Sequence, residues 1–125
     1  MSVHTKPTES ELDILKILWE KKECSVREVH NILAANKDVG YTTTLKLMQI
    51  MHDKGIVTRN DKQKIHLYTP LLKQEDTQQQ FVGKMVHTLF NGNASQLVLH
   101  TLGNGNHTSE ELDEIQSLLD SLKHK

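Results

Sequence analysis

The chain has 125 residues, with 15 Lys and Arg against 16 Asp and Glu and a formal net charge of −1. This length suits one small domain, or a small domain with an accessory module, because a core of this size is close to the lower limit for independent folding. The single cysteine, Cys24, excludes an intramolecular disulfide framework and a cysteine-rich zinc site. The opening stretch MSVHTKPTES lacks the apolar segment of a signal peptide, and no window is apolar enough to span a membrane, so we expect a cytoplasmic protein.

Charge is distributed unevenly along the chain. Residues 1–73 hold 12 Lys and Arg against 9 Asp and Glu, whereas residues 74–125 hold 3 against 7, which gives +3 and −4. This asymmetry is a weak indication that the front part of the chain meets an anion, such as nucleic acid, and that the back part does not.

Two capping boxes predict the first two helices. In TESE, at 8–11, the Thr8 hydroxyl is placed to accept from the backbone of Glu11 while the Glu11 carboxylate reaches back, and SVRE at 25–28 repeats this pattern. We expect the first helix to run to about Lys22 and the second to begin after Ser25. Their apolar residues recur at helical spacing and are Leu12, Ile14, Leu15, Leu18 and Trp19, then Val26, Val29, Ile32 and Leu33.

The stretch VGYTTTLKLMQIMHDKGIVTRN, at 39–60, predicts a third helix and its end. Thr44, Leu47, Met48 and Met51 fall at the i, i+3, i+4 and i+7 positions of one face, which we expect to be buried. Gly55 follows where a left-handed helix terminus is expected.

After Gly55 the apolar period changes from 3.6 to 2. Two β-prone runs, 56–59 and 64–69, flank the polar tetrapeptide NDKQ and predict a small hairpin. Pro70 is expected to end it, because proline cannot donate to a ladder.

From Gln74 onward the sequence predicts three more helices, separated by NGN at 91–93 and by GNGNH at 103–107, with TSEE at 108–111 as a third capping box. Their apolar stripes are too extensive for three short helices to bury alone, so we expect a homodimer that shares them across a two-fold axis. The residues assigned to this interface are Phe81, Met85, Leu89, Leu97, Val98, Leu112, Ile115, Leu119 and Leu122. We therefore divide the chain into a first domain, 1–73, and a helical dimerisation domain, 74–125.

The order helix, helix, helix, hairpin predicts a mainly α fold with a small β-hairpin, a winged helix-turn-helix whose third helix enters the DNA major groove. Opposite the buried face of that helix lie Thr42, Thr43, Lys46 and Gln49, whose side chains suit phosphates and base edges. Tyr41 is placed to stack on the DNA backbone or to hydrogen-bond to it. The alternative is that Thr42 is the helix cap and that Lys46 and Gln49 form an ordinary solvated face.

The hairpin is basic near its turn. Arg59, Lys62, Lys64 and His66 lie where a wing contacts phosphate. A basic tip is also an ordinary way to keep a strand edge from pairing with other chains. Beside a DNA-facing helix, phosphate contact is the better explanation.

With these residues in view, the chain resembles the penicillinase-repressor family of bacterial transcriptional regulators, which includes methicillin-resistance and copper-transport repressors. The stretches that carry the resemblance are PTESELDILKILWE, SVREVHNIL, YTTTLKLMQIMHDKGIVTR, HLYTPL and FVGKMVHTLFNGNASQLVLHTL. The resemblance implies a winged helix and a three-helix C-terminal module that forms a homodimer and represses by occupying a palindromic operator in double-stranded DNA. Thr42, Thr43 and Lys46 then inherit the DNA-reading role.

The chain also departs from this family in three places. Where many members have arginine after a glycine in the wing, this chain has Gln63 and Lys64, and lysine lacks the two-pronged geometry of arginine. The paired C-x-C motifs of copper-responsive members are absent. Antibiotic-responsive members are cleaved at Asn-Phe through a sensor protease pathway, but the aligned dipeptide here is His100-Thr101, which does not support that partner.

Two other classes of function compete with DNA binding. The eight histidines are scattered without a metal, nucleotide or phosphate motif, so we predict no enzyme, no resident metal and no cofactor, with His100, His107 and Glu110 or Glu111 as an adventitious metal site at most. A winged helix that docks on proteins without binding DNA is the main alternative, since Leu45 and Ile50 flank the polar face of the third helix.

Overall fold

The computed structural model describes residues 6–125, and this part of the chain contains six α-helices and one two-stranded antiparallel sheet. The elements are α1 (Glu9–Lys21), α2 (Val26–Ala34), α3 (Tyr41–Asp53), β1 (Val57–Asn60), β2 (Leu67–Pro70), α4 (Gln74–Leu89), α5 (Ala94–Asn104) and α6 (Ser109–Lys123). The predicted fold class, a winged helix followed by three helices, is confirmed.

The predicted capping boxes explain where α1 and α2 begin. The backbone N–H of Glu11 donates to the Thr8 hydroxyl at 3.2 Å, and that of Thr8 donates to the Glu11 carboxylate at 3.0 Å. Ser25 and Glu28 make the same reciprocal pair at the start of α2. Each box satisfies two backbone donors that the first turn of a helix otherwise leaves without partners.

The start of α6 forms half of the third predicted capping box. The Glu111 N–H donates to the Thr108 hydroxyl at 3.1 Å. The Glu111 carboxylate, however, accepts from the Thr108 hydroxyl at 3.3 Å. The helix still begins at the predicted place, because the hydroxyl cap is the half that satisfies a helix donor.

The core of the first three helices and the hairpin is a single apolar cluster. Its buried members are Ile14, Leu15, Leu18, Cys24, Val26, Val29, Met48, Met51, Ile56, Val57 and Tyr68. Each large apolar side chain buried in this way contributes about 1.5–3 kcal/mol. Trp19 packs at the edge of the cluster and donates from its indole nitrogen to the Leu72 carbonyl at 2.8 Å, which holds the segment after the hairpin against α1.

The hairpin is shorter than predicted. Val57 pairs with Pro70 and Asn60 with Leu67, so the second strand begins at Leu67 instead of at residue 64, and the connection spans residues 61–66. The predicted strand start was wrong because residues 64–66, although β-prone in sequence, lie beyond the last paired position and are exposed. Pro70 is the last residue of β2, a position where proline is tolerated.

An isolated antiparallel β-bridge between Cys24 and Tyr68 joins the hairpin to the helices. The Cys24 N–H donates to the Tyr68 carbonyl at 3.1 Å, and the Tyr68 N–H donates to the Cys24 carbonyl at 2.8 Å. Cys24 is buried, and this burial raises the pKa of its thiol. The bridge fixes the base of the hairpin to the segment between α1 and α2.

The chain divides into two compact units, the first ending at Gln79 and the second spanning Gln80–Lys125. The sequence-based division was drawn at residues 73 and 74. Thr77, on α4, is buried and donates from its hydroxyl to the Lys73 carbonyl at 2.9 Å, so the first turns of α4 belong to the first unit.

No side chain of the second unit, Gln80–Lys125, is fully buried, although Phe81, Leu97 and Ile115 are half-buried. Its large apolar side chains are 43–70% exposed at Val82, Met85, Leu89, Val98, Leu99, Leu112, Leu118, Leu119 and Leu122. The break between α4 and α5 falls at the predicted NGN, where Gly92 has a φ of +82°. Within residues 6–125, no helix is both long and apolar enough to cross a membrane.

Candidate nucleic-acid interface

Helix α3 presents two opposite faces. Thr44, Met48 and Met51 are buried, and Leu47 is half-buried against the same core. On the other side Thr42, Thr43, Lys46 and Gln49 are all exposed. Because helical positions separated by three or four residues share a face, Thr42, Lys46 and Gln49 form one polar row along the helix.

The N-terminus of α3 has no side-chain cap. Gly40 is the N-cap residue, and the first hydrogen bond of the helix runs from the Thr44 N–H to the Gly40 carbonyl at 3.2 Å. Thr42 is therefore inside the first turn, so the alternative that it serves as the cap is wrong. The partial positive charge of an uncapped first turn favours an anion nearby.

Tyr41, the first residue of α3, is held by two side chains of α2. The Arg27 guanidinium lies 4.4 Å from the centre of its ring, and the His30 ring packs edge-on at 5.5 Å between centroids. His30 Nδ1 is in turn 3.0 Å from the Thr44 hydroxyl. These contacts fix the start of α3 against α2 and leave Tyr41 partly exposed.

Arg27 is a candidate site residue that the sequence alone did not indicate. It is exposed, and it brings a guanidinium next to the polar face of α3. Its position as the second residue of a capped helix gave no signal, since its proximity to Tyr41 follows from how α2 packs on α3. A cation–π contact of this kind orients the guanidinium without neutralising its charge.

In the hairpin, one carboxylate holds two of the basic side chains. Arg59 Nε donates to Asp61 Oδ1 at 2.7 Å, and His66 Nδ1 lies 3.5 Å from the same oxygen. Hydrogen bonds to Tyr68 and to Asp61 raise the pKa of Arg59. The ammonium groups of Lys62 and Lys64, by contrast, are exposed and make no ion pair with any residue of 6–125.

An open cleft of about 790 Å³, hereafter the wing cleft, lies between the start of α2, α3 and the hairpin. Its lining includes four of the predicted site residues: Tyr41, Gln49, Arg59 and Lys64. The other four, Thr42, Thr43, Lys46 and Lys62, are not part of this lining. The cleft is also lined by Arg27, His66 and the acidic Glu28, so basic side chains enter it from α2 and from the hairpin.

The histidines considered as a metal site do not gather. His107 Nδ1 is 3.8 Å from Glu111, and His107 Nε2 is 3.2 Å from the Thr101 carbonyl. His100 packs instead near Phe90, with ring centroids 6.2 Å apart. Across residues 6–125, no three His, Cys, Asp or Glu side chains are placed to hold a metal ion.

Three helices, a hairpin and an exposed polar row on the third helix define a winged helix-turn-helix of the class found in transcriptional regulators. The family model described as Penicillinase repressor matches residues 7–121. The chain belongs to the penicillinase repressor family, which consists of transcriptional repressors and not of enzymes. The family resemblance noted from the sequence is confirmed.

Characterised relatives are similar over most of their length. The Penicillinase repressor of Staphylococcus aureus is 25% identical over 116 residues, which is 93% of this chain and 92% of that protein. The Methicillin resistance regulatory protein MecI of Staphylococcus aureus (strain N315) is 23% identical over 110 residues, covering 88% and 89%. Among solved structures, the DNA-binding domain of the repressor BlaI matches with a TM-score of 0.52 and 18% identity over 61% of this chain and 90% of that one, which supports the fold.

Proposed function

We propose that this protein is a transcriptional repressor that binds a palindromic operator in double-stranded DNA as a homodimer. Relatives over most of the chain are repressors by name, and one matching structure is a repressor's DNA-binding domain. Because bacterial DNA lies in the cytoplasm, a protein that binds a DNA operator acts in that compartment. Induction by a sensor protease is not part of the proposal, because the aligned dipeptide is His100-Thr101, within the hydrogen-bonded turns of α5.

The observation that carries the proposal is the two-sided character of α3. One side is locked into the core by Met48 and Met51, so the exposed row of Thr42, Lys46 and Gln49 cannot turn inward. Hydroxyl, ammonium and amide groups are suited to base edges and phosphates in the major groove. Arg27 on one flank and Lys62 and Lys64 on the other add positive charge for the backbone.

Homodimer formation is supported by the second unit. A helical module of 46 residues in which no side chain is fully buried needs another surface to cover its exposed leucines. A second copy presents the same surface, and a two-fold axis makes that surface complementary to itself. Two recognition helices could then reach half-sites about 34–36 Å apart, one turn of DNA, or a multiple of that distance.

The test is selection of bound duplexes from random-sequence DNA by the purified full chain, together with its mass by sedimentation equilibrium. We expect an enriched inverted repeat and a dimer at micromolar protein. Selection of one half-site by a monomer would contradict the dimer. No enrichment would contradict sequence-specific binding and favour the docking alternative, for which Ile50, exposed beside the polar row, would be the contact.

A further inference from the structure

The tip of the hairpin exposes an isoleucine. Ile65 is 65% exposed, which makes it the most exposed large apolar side chain among residues 6–79. It lies in the connection 61–66, between Lys64 and His66, and contributes to the lining of the wing cleft. The next most exposed large apolar side chain in this range is Leu71, at 54%.

The loop that carries Ile65 is braced at its base. Asp61 holds Arg59 and His66 across the two ends of the loop, and the Lys62 N–H donates to the Asn60 side-chain oxygen at 3.0 Å. A turn of this kind, in which an asparagine side chain accepts from the backbone two residues on, stiffens a tight connection. Ile65 is therefore presented outward by a defined loop.

The chemistry around Ile65 suits the minor groove of a duplex. Lys62 and Lys64 are exposed and have no ion-pair partner among the described residues, so they are available to phosphates near the isoleucine. The floor and walls of the minor groove consist of base edges and deoxyribose carbons, which apolar side chains contact when a protein enters that groove. The loop therefore combines two cations with an apolar side chain, a combination that suits a groove with phosphates along its rims.

We propose that Ile65 enters the minor groove of the bound duplex while Lys62 and Lys64 bind the flanking phosphates. This proposal rests on the proposed DNA-binding function and adds a specificity determinant to it. Guanine projects its 2-amino group into the minor groove, whereas A·T pairs do not. An isoleucine there cannot accept a hydrogen bond from that amino group, so the wing disfavours G·C pairs where it docks.

The test compares the full-length protein with Ile65→Ala and with Leu71→Ala, a matched control at another exposed apolar position. The probes are a duplex selected by the wild-type protein from random DNA, and versions with G·C or inosine·cytosine pairs at the positions that flank the recognition-helix contacts. Inosine keeps the major-groove edge of guanine but lacks the 2-amino group. Replacement of guanine by inosine therefore removes the 2-amino group from the minor groove and leaves the major-groove edge unchanged.

We expect the wild type and Leu71→Ala to bind the inosine duplex more tightly than the G·C duplex, and Ile65→Ala to bind both equally. On the selected duplex, Ile65→Ala should bind roughly five- to tenfold more weakly, from the lost apolar contact. Its salt dependence should be unchanged, because no charge is removed. Its thermal unfolding should also match that of the wild type, because the side chain is exposed.

Four outcomes would overturn the proposal. An inosine preference that survives in Ile65→Ala would assign the preference to another residue, and equal binding of the selected duplex by wild type and Ile65→Ala would remove the contact altogether. A change in sedimentation mass for Ile65→Ala would assign Ile65 to a protein contact. If the wild type itself selects no duplex, the proposed function fails, and the wing proposal falls with it.

Discussion

The Lys54 ammonium lies 2.6 Å from the Glu11 carboxylate and so joins the C-terminal end of α3 to the first turn of α1. Glu11 is buried, and the same carboxylate oxygen also accepts from the Thr8 N–H. One acidic side chain therefore both starts α1 and holds the end of the helix proposed to read DNA.

Removal of this carboxylate should destabilise the protein. Glu11→Ala leaves the Lys54 charge in a largely buried place and breaks the capping box, so we expect the free energy of unfolding to fall by about 3 kcal/mol. Urea denaturation of the full chain measures it. Asp13→Ala is the control, since its ion pair with Lys37 is exposed and worth about 0–1 kcal/mol. Equal effects of the two substitutions would mean that the Glu11–Lys54 pair contributes little.

Substitutions on the exposed row of α3 should weaken specific binding more than non-specific binding. Lys46→Ala or Thr43→Ala is expected to cost about 1–3 kcal/mol on the selected duplex, because each removes a side chain that is proposed to contact a base. Affinities for the selected duplex and for random DNA are compared by fluorescence anisotropy. Lys16→Ala, an exposed lysine on α1, serves as the control. An equal loss on both DNAs would reassign these residues to phosphate contacts.

The exposed lysines of the hairpin should act through charge alone. Lys62→Ala and Lys64→Ala are each expected to weaken binding to every duplex and to reduce the slope of log K against log salt by about 0.9, the counterion release of one phosphate contact. Titrations at several salt concentrations measure the slope. The exposed Lys84 of α4 provides the control substitution. An unaltered slope in both hairpin variants would show that the hairpin does not touch DNA.

Asp61 should limit how strongly the hairpin binds. Asp61→Asn removes the carboxylate that pairs with Arg59 at 2.7 Å, so the guanidinium becomes available to phosphate and affinity for all duplexes should rise several-fold, with a steeper salt slope. An arginine guanidinium is protonated at neutral pH in any surroundings, so the gain does not depend on its titration. Asp113→Asn, on α6, controls for net charge. Weaker binding by Asp61→Asn would mean that the bracing of the loop matters more than the freed charge.

A fragment that ends at Gln79 should fold, remain monomeric and bind the selected duplex at least about a hundredfold more weakly than the full chain, because the second half-site no longer gains from effective concentration. Sedimentation and binding titrations test both parts. A fragment that ends at Lys73, as the sequence suggested, should be less stable, since it lacks the buried Thr77. Tight binding by the longer fragment would contradict the dimer model.

Local signals explain how much of this fold could be predicted. The capping boxes at Thr8 and Ser25 and the left-handed Gly55 mark helix ends through hydrogen bonds between near neighbours, so the sequence locates them. The buried side of α3 follows from its spacing for the same reason. The strand start at Leu67 could not be read in this way, because it depends on which residues pair across the hairpin.

The missed parts of the site depend on contacts between distant segments. The Arg27 guanidinium lies over the Tyr41 ring because α2 packs on α3. Asp61 accepts a hydrogen bond from Arg59 because the hairpin turns sharply after Asn60. The single bridge between Cys24 and Tyr68 has no periodicity to reveal it. In each case the sequence supplied the chemical groups, whereas the tertiary contacts determined their partners.

The exposed leucines of Gln80–Lys125 also affect how many copies of the protein a cell must hold. In the proposed dimer, the exposed leucines of each chain are covered by the other chain, so the folding of this unit is coupled to its assembly. Each tenfold dilution then lowers its stability by about 1.4 kcal/mol. If the copy number falls, unfolded C-terminal segments become accessible to proteases, and the remaining copies are lost faster. A gradual dilution then becomes an abrupt loss of operator occupancy.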